Sequence, residues 1–261
     1  MKIAVAVKQV GELEAEFEPP ADTRRIAPEA LEWSLNDWDR FALEAALELR
    51  DAHGGEVVVL TVGGEEAEEA LLACLAQGAD RGVRIWDESI EPEPLTVARV
   101  LAAAVRREEP DLVLCGVQSS DAVNGATGVA LAGLLDLPRV AVVRRLSYDA
   151  EAGSLEVDRE LEGGLVERVS IATPALLTVQ TGINRPRHAN LRAIKKAEAK
   201  PRELLELKAL GLDAGHLGRS AGARVRALRR PDPGSRAQML EGDADEIARR
   251  ILEIVSSRVG S

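Results

Sequence analysis

Short apolar runs alternate with longer amphipathic segments through the first half of this chain. Four runs, each bounded by turn residues, predict buried strands: 3–7, 56–62, 82–86 and 111–116. Three segments between them have apolar residues at helical spacing: 36–50, 65–77 and 95–107. Strands that alternate with helices predict a doubly wound α/β fold, in which a parallel sheet carries helices on both faces.

Beyond Pro138 the pattern changes to shorter segments separated by glycine turns. Three of these segments predict antiparallel strands added to the sheet: 140–146, 154–161 and 165–172. A further strand is predicted at 173–179, and helices at 192–199 and 244–255. The acidic stretch 11–31 has no clear period, and we predict an excursion from the sheet there. We therefore divide the chain into an α/β domain over 1–201 and a C-terminal arm over 202–261, which packs either on another subunit or on its own domain.

The stretch DLVLCGVQSSDAVNGATGVALAGLL, residues 111–135, combines a strand, a loop rich in Gly and Ser, and a helix of small residues. This order leaves backbone N–H groups at the helix start beyond the strand's carboxyl end, an arrangement that favours a phosphate. In a parallel sheet the other carboxyl ends meet at the same edge. Residues 8–9, 36–39 and 62–64 are therefore predicted to line one crevice with 116–128. The alternative is that the loop's glycines serve only turns and helix packing.

Composition narrows the classes of function. Because the net charge is −11, a nucleic acid or an anionic membrane surface is not an expected partner. The three histidines are scattered without ligand spacing, so no metal site is predicted, and no Ser-His-Asp arrangement indicates a hydrolase. Cys74 and Cys115 are isolated, which predicts free thiols and a cytoplasmic protein. We expect no signal peptide, because Met1 leads directly into the first strand, and no run is long enough to insert into a membrane.

Six segments, in order, resemble one family, the beta subunits of electron transfer flavoproteins. They are KIAVAVKQV, LNDWDRFALEAALEL, LAQGADRGV, DLVLCGVQSSDAVNGATG, RELEGGLVERV and TPALLTVQTGINRPRHANLRAIKKAEAK. The resemblance extends from Met1 to about Pro201. It implies an adenine-nucleotide-hydrolase-like fold and a heterodimer with an alpha subunit, which holds most of one FAD, while the beta subunit binds a structural AMP. The resemblance also implies an electron carrier without substrate turnover of its own, between flavin dehydrogenases, such as the acyl-CoA dehydrogenases of fatty acid oxidation, and a membrane electron transfer flavoprotein–quinone oxidoreductase.

The resemblance also implies which residues bind the nucleotide. These are Ala6, Asn36, Asp37, Trp38, Asp39, Val62, Gly63, Asp121, Ala122, Val123, Asn124, Gly125, Ala126, Thr127 and Gly128. A dehydrogenase-docking loop corresponds to 184–193, with its anchoring leucine at Leu191. The chain departs from the family pattern at Asp37, Ala126 and Arg192, where relatives often have Pro, Gln and Pro. Asp121 would repel a phosphate, so we expect its carboxylate to cap the loop or to meet a ribose hydroxyl.

Two other classes share this sheet architecture. A stand-alone nucleotide-binding regulator of the universal-stress type expects a glycine in the phosphate loop where this chain has Ser119. An ATP-cleaving enzyme of the pyrophosphatase-loop type expects Ser-Gly-Gly-x-Asp-Ser after the first strand, where this chain has Lys8-Gln9-Val10. The first class is the alternative to the electron carrier. Whether the nucleotide is AMP or a second FAD stays open.

Overall fold

A computed structural model describes residues 1–13, 23–24, 26–219, 222, 225–229, 237 and 239–259. Parts of the predicted excursion and of the predicted C-terminal arm therefore lie outside the described residues. Within those ranges the strands are β1 Lys2–Ala6, β2 Gln9–Leu13, β3 Leu31–Leu35, β4 Glu56–Val62, β5 Arg81–Ile85, β6 Leu112–Gly116, β7 Arg139–Asp149, β8 Ser154–Glu160, β9 Val166–Ala172, β10 Ala175–Val179 and β11 Arg202–Leu205. The helices are α1 Asp37–His53, α2 Ala67–Gln77, α3 Pro94–Glu108, α4 Thr127–Leu135, α5 Leu191–Ala197, α6 Ala214–Arg219 and α7 Ala244–Val259.

In the described part of the chain, nine strands form one sheet in the order β11-β5-β4-β1-β6-β10-β7-β8-β9. The strands from β11 to β7 are parallel, and β8 and β9 are added antiparallel. The chain leaves β1 towards β4 and β5 and then returns to the other side of β1 at β6. The strand order therefore reverses at β1, and in such sheets a ligand crevice opens beyond the carboxyl ends of the strands at this point.

Both faces of the sheet are buried. Side chains of a strand alternate between its faces, so Ile3 and Val5 join a core cluster with α1 and α2, while Ala4 and Ala6 join a second cluster with α3 and α4. The central strands read as continuous apolar runs because neither of their faces meets water. Both cysteines are free and buried. The predicted α/β fold, a largely parallel sheet flanked by helices and extended by antiparallel strands, is confirmed.

Three features of the sheet differ from prediction. The stretch predicted as an excursion begins and ends in strands, since β2 and β3 pair as a separate antiparallel ribbon. Segment 140–146 was predicted antiparallel, but β7 is parallel to β10 and antiparallel only to β8. No strand was predicted beyond residue 201, but β11 at Arg202–Leu205 pairs with β5. In each case the pairing joins segments far apart in the chain, and neither strand's own pattern specifies its neighbour.

The predicted amphipathic helix is present as α7, and its apolar side chains are exposed. Ile251, Leu252, Ile254 and Val255 are each more than a third exposed. Throughout the described ranges, no helix combines the length and the apolar composition needed to cross a bilayer. The division of the chain at residue 201 stays a prediction.

Candidate functional site

A buried carboxylate joins the ends of two central strands. Asp39 lies in the first turn of α1 and is almost fully buried. Its Oδ2 accepts the backbone N–H of Lys8, and its Oδ1 accepts that of Gly116, each at 2.8 Å. Lys8 follows β1 and Gly116 ends β6, so one side chain fixes the start of α1 against the carboxyl ends of both strands.

This contact requires a glycine at the end of β6. A Cβ at Gly116 would lie 2.4 Å from the Cβ of Trp38, which no relaxation of a side-chain tip could relieve. The Nε1–H of the Trp38 indole donates to Oε1 of Gln180 at 3.0 Å. The packing interpretation of Gly116 is therefore supported. Trp38, predicted to contact the nucleotide, has its indole N–H bonded to residue 180.

A second buried side chain holds the predicted phosphate loop. Asn36 is 1% exposed. Its Nδ2 donates to the carbonyl of Gln118 at 2.9 Å, its Oδ1 accepts the N–H of Ser120 at 3.2 Å, and its backbone N–H donates to the carbonyl of Lys8 at 3.0 Å. Asn36 occupies the N-cap position of α1, but its side chain binds the loop and caps no backbone N–H of the helix. The loop and the start of α1 therefore form one unit.

Lys8 also crosses the crevice with its side chain. The Nζ lies 2.7 Å from both carboxylate oxygens of Asp121 and 3.3 Å from Oγ of Ser119. Asp121 was predicted to cap the loop or to meet a ribose, and in the structure its carboxylate pairs with this ammonium group. The pair lies at the surface, where ion pairs contribute little to stability and can exchange partners.

The loop then leads into α4. Residues 121–126 are exposed, and Val123 and Gly125 have φ angles of 50° and 59°, so the chain here is in the left-handed region. Ala126 is the N-cap of α4 and makes no side-chain cap. The first N–H groups of a helix have no partner within it, and no described residue accepts those of α4, so its N-terminus offers unpaired donors and a positive dipole end beyond β6.

The remaining predicted site residues differ in what they can offer a ligand. Ala6 pairs with residues of β4 and β6 and is nearly buried. A Cβ at Gly128 would meet Sγ of Cys115 at 2.6 Å, and a Cβ at Gly63 would meet the Cβ of Ala67 at 2.7 Å. Both glycines therefore permit close helix–strand packing. Asp37 is exposed and pairs with Arg40. Val62 ends β4, Ala122 and Asn124 lie in the loop before α4, and Thr127 begins that helix, each where the sequence predicted it.

All four predicted segments thus meet at one edge of the sheet. Sequence reasoning missed the partners that hold them there: the carbonyl of Gln118, the N–H of Ser120 and the amide of Gln180. A separate cavity of about 280 Å³ lies between α1 and β7, beside Glu48, His53 and Tyr148. Among the described residues, no group of three or more His, Cys, Asp or Glu is arranged to hold a metal ion.

The predicted anchoring leucine is the first residue of α5 and is not in the middle of a loop. Leu191 is 80% exposed. The N-cap residue Asn190 accepts the N–H of Ala193 at 2.9 Å and so fixes the start of the helix. Ile194, one turn later, is also exposed. Exposure of this kind fits a side chain that takes no part in the core.

Comparison with known proteins adds a family to this geometry. The family profile described as "Electron transfer flavoprotein domain" matches residues 23–210. The chain is 42% identical to the electron transfer flavoprotein subunit beta of Methylophilus methylotrophus, with 100% of both chains covered. The chain belongs to the electron transfer flavoprotein family, as a beta subunit. The subunits beta of Bacillus subtilis (strain 168) and Homo sapiens are 34% and 33% identical, over 90% and 82% of this chain and 91% and 84% of theirs.

Family membership confirms the resemblance drawn from the six sequence segments. It also decides between the two candidate classes, in favour of an electron transfer flavoprotein subunit over a stand-alone regulator of the universal-stress type. The crevice at β1 is therefore a structural feature of an electron transfer protein.

The pKa of Asp39 leads to a prediction about pH. Burial raises this pKa from 3.8 to about 6, against the lowering effect of hydrogen bonds from Asn36, Gly116 and Lys8 and of the Lys8 charge. Between these values the folded state keeps a proton that the unfolded state has lost. Asp39 therefore contributes a stability that decreases as the pH rises through this window and is constant above it.

We expect Asp39→Asn to remove this dependence. The free energy of unfolding of the wild type minus that of the variant should decrease between pH 4 and 6 and stay level up to pH 8, as measured by urea unfolding. Asparagine has only one acceptor oxygen for two N–H donors, so the variant should also be less stable by roughly 1–3 kcal/mol. Asp37→Asn, at an exposed neighbour, is the control. Parallel profiles of wild type and Asp39→Asn would contradict the prediction.

Proposed function

We propose that this chain is the beta subunit of a heterodimeric electron transfer flavoprotein that binds AMP in the crevice at β1. In the heterodimer the alpha subunit holds most of the FAD, and this chain helps to enclose it. The complex takes electrons from flavin dehydrogenases, such as acyl-CoA dehydrogenases, and passes them to a membrane electron transfer flavoprotein–quinone oxidoreductase. The observation that carries the nucleotide assignment is the free N-terminus of α4 beside a loop that Asn36 holds to α1.

The residues of the crevice fit a nucleoside monophosphate. The free N–H groups of α4 and the exposed loop 121–126 suit a phosphate, and Lys8 supplies a cation that could move from Asp121 to an anionic ligand. Gly125 keeps the backbone open, since the nearest atom to a Cβ there is 3.8 Å away. Bound AMP would stabilise the state that binds it and would take no part in electron transfer.

The FAD assignment to the alpha subunit rests on the sequence of this chain. No Gly-x-Gly-x-x-Gly fingerprint follows a strand here, which is the usual way that a single chain holds a dinucleotide pyrophosphate. FAD supplies the redox chemistry when it is bound. The exposed apolar side of α7 is where we expect the arm 202–261 to pack on the alpha subunit.

Docking of the dehydrogenase is assigned to the segment 184–193. Leu191 is exposed, and its neighbours Arg187, His188, Asn190 and Arg192 are all polar. A leucine in this position suits insertion into an apolar pocket of a partner, where its burial would contribute roughly 1.5–3 kcal/mol.

The chain purified alone should bind little or no FAD, whereas the heterodimer should contain FAD in equimolar amount. The reason is that most contacts to the cofactor are assigned to the other subunit. Visible absorption near the flavin bands of both preparations measures this. A full complement of flavin on the lone chain would overturn the assignment.

Replacing Gly125 with Val should expel the nucleotide by filling the space that backbone and phosphate share. Gly153 provides a matched control, because its φ of 62° is close to the 59° of Gly125 and a Cβ there meets nothing within 4 Å. Both variants carry the same backbone strain, but only Gly125 lies at the crevice. Nucleotide released by heat and quantified by chromatography should drop in Gly125→Val and stay at the wild-type level in Gly153→Val. Equal occupancy in the two would place the nucleotide elsewhere.

Replacing Leu191 with Ala should slow electron uptake from an acyl-CoA dehydrogenase at least several-fold by weakening the complex. The melting temperature, the flavin content and the rate of reduction by dithionite should stay unchanged, since none of them needs docking. Leu165→Ala is the control, because this leucine is 65% exposed on the far hairpin between β8 and β9. A lower melting temperature with normal dehydrogenase kinetics would show Leu191 to be a structural residue.

A further inference from the structure

The segment that leads to Leu191 is tied to α1 along one side of that helix. Gln180 accepts the indole N–H of Trp38 at 3.0 Å, and Nδ2 of Asn184 donates to the carbonyl of Phe41 at 3.0 Å. Arg187 then binds Glu44. Residues 180, 184 and 187 thus contact residues 38, 41 and 44 of α1 in the same order along both segments, and each contact is a hydrogen bond.

The contact between Arg187 and Glu44 is the most extensive of the three. Nε of Arg187 donates to both oxygens of Glu44 at 3.0 and 2.9 Å, Nη2 donates to Oε1 at 2.9 Å, and the backbone N–H donates to Oε2 at 3.0 Å. Nη1 reaches Asp51 at 3.0 Å. The Glu44 side chain is only 5% exposed. A buried carboxylate that receives a guanidinium fork and a backbone N–H fixes both the position and the orientation of the backbone that carries them.

We propose that Glu44 and Arg187 are positioning residues for dehydrogenase docking: their partly buried ion pair fixes, against α1, the segment that presents Leu191. This inference rests on the docking role proposed for Leu191. Residues 181–190 run as turns and coil, so tethers to the helix determine their position in place of a ladder of backbone hydrogen bonds. Arg187 is the last of these tethers before Leu191, four residues along the chain.

The other end of the docking segment is also fixed. Ala197, the last residue of α5, is 1% exposed and belongs to the core cluster beside α2. Lys200 donates from Nζ to the carbonyls of Leu75 and Ala79 at 2.9 and 2.6 Å, close to the end of α2. Leu191 therefore stands exposed on a segment that is held on both sides. A segment ordered in advance binds a partner without the entropic cost of ordering on contact.

The test compares Glu44→Gln with Glu48→Gln in the purified heterodimer. Glutamine keeps the size of Glu44 and one acceptor oxygen but removes the ion pair with Arg187. Glu48 is the matched control, because it lies one turn along the same helix and its side chain is exposed. Glu44→Gln should raise the KM for the dehydrogenase roughly three- to tenfold and leave kcat and dithionite reduction unchanged. Amide hydrogen exchange across 184–193 should become faster in this variant alone.

A double variant separates positioning from general stability. Adding Glu44→Gln to Leu191→Ala should raise KM no further, since the tether acts only through the residue that it presents. A merely structural role for Glu44 would give additive effects on KM and a loss of flavin. If Glu44→Gln does not assemble, Arg187→Lys makes the same comparison, because lysine keeps the charge and loses the fork.

The outcomes separate this inference from the proposed function beneath it. Unchanged KM and unchanged exchange in Glu44→Gln, with a raised KM in Leu191→Ala, would overturn the positioning role and leave docking at Leu191 in place. A normal KM in Leu191→Ala would instead overturn the docking assignment. A raised KM that adds to that of Leu191→Ala would overturn action through the docking segment.

Discussion

The Asp39 carboxylate is the contact on which the arrangement at the edge of the sheet depends. It accepts the N–H groups that follow β1 and end β6, the two strands between which the chain reverses its winding direction. Without it, these partly buried N–H groups would lack a partner at the strand ends, and an unsatisfied buried donor costs about 1–3 kcal/mol. The carboxylate offsets this cost, and the burial that it demands raises its own pKa. The same carboxylate therefore satisfies the N–H groups at the two strand ends and fixes the position of α1.

Fixing the start of α1 has consequences on both sides of this helix. On one side Asn36 holds the loop 117–125, so the free N–H groups of α4 open towards the strand ends. On the other side the segment that leads to Leu191 forms hydrogen bonds with Trp38, Phe41 and Glu44. One helix thus connects the proposed nucleotide crevice with the proposed docking segment, although the two use different residues. Helices are suited to this role because hydrogen bonds within the helix already satisfy their backbone, so their side chains are free to hold neighbouring segments.

Close packing accounts for the glycines of the site better than ligand contact alone does. Gly116 and Gly128 each lie where a Cβ would enter α1 or the strands beneath α4. Gly125 differs, because it has open space around it and a left-handed backbone. The same residue type therefore has two physical roles within one motif. Only the surroundings of each glycine reveal which role it has.

The sequence alone determined the elements and their class. Most predicted strands and helices appear within a few residues of their predicted bounds, because apolar periodicity reflects local burial, which each segment carries in its own residues. The strand, loop and helix of residues 111–135 predicted the position of the crevice, and six ordered segments indicated the family. Tertiary structure decided the rest. The pairing of β2 with β3, the parallel side of β7 and the addition of β11 join residues that are distant along the chain. The partners of Asp39, Asp121 and Glu44 were likewise invisible, because a polar side chain in a sequence shows what it can bind, and only the packed fold brings its partner to it.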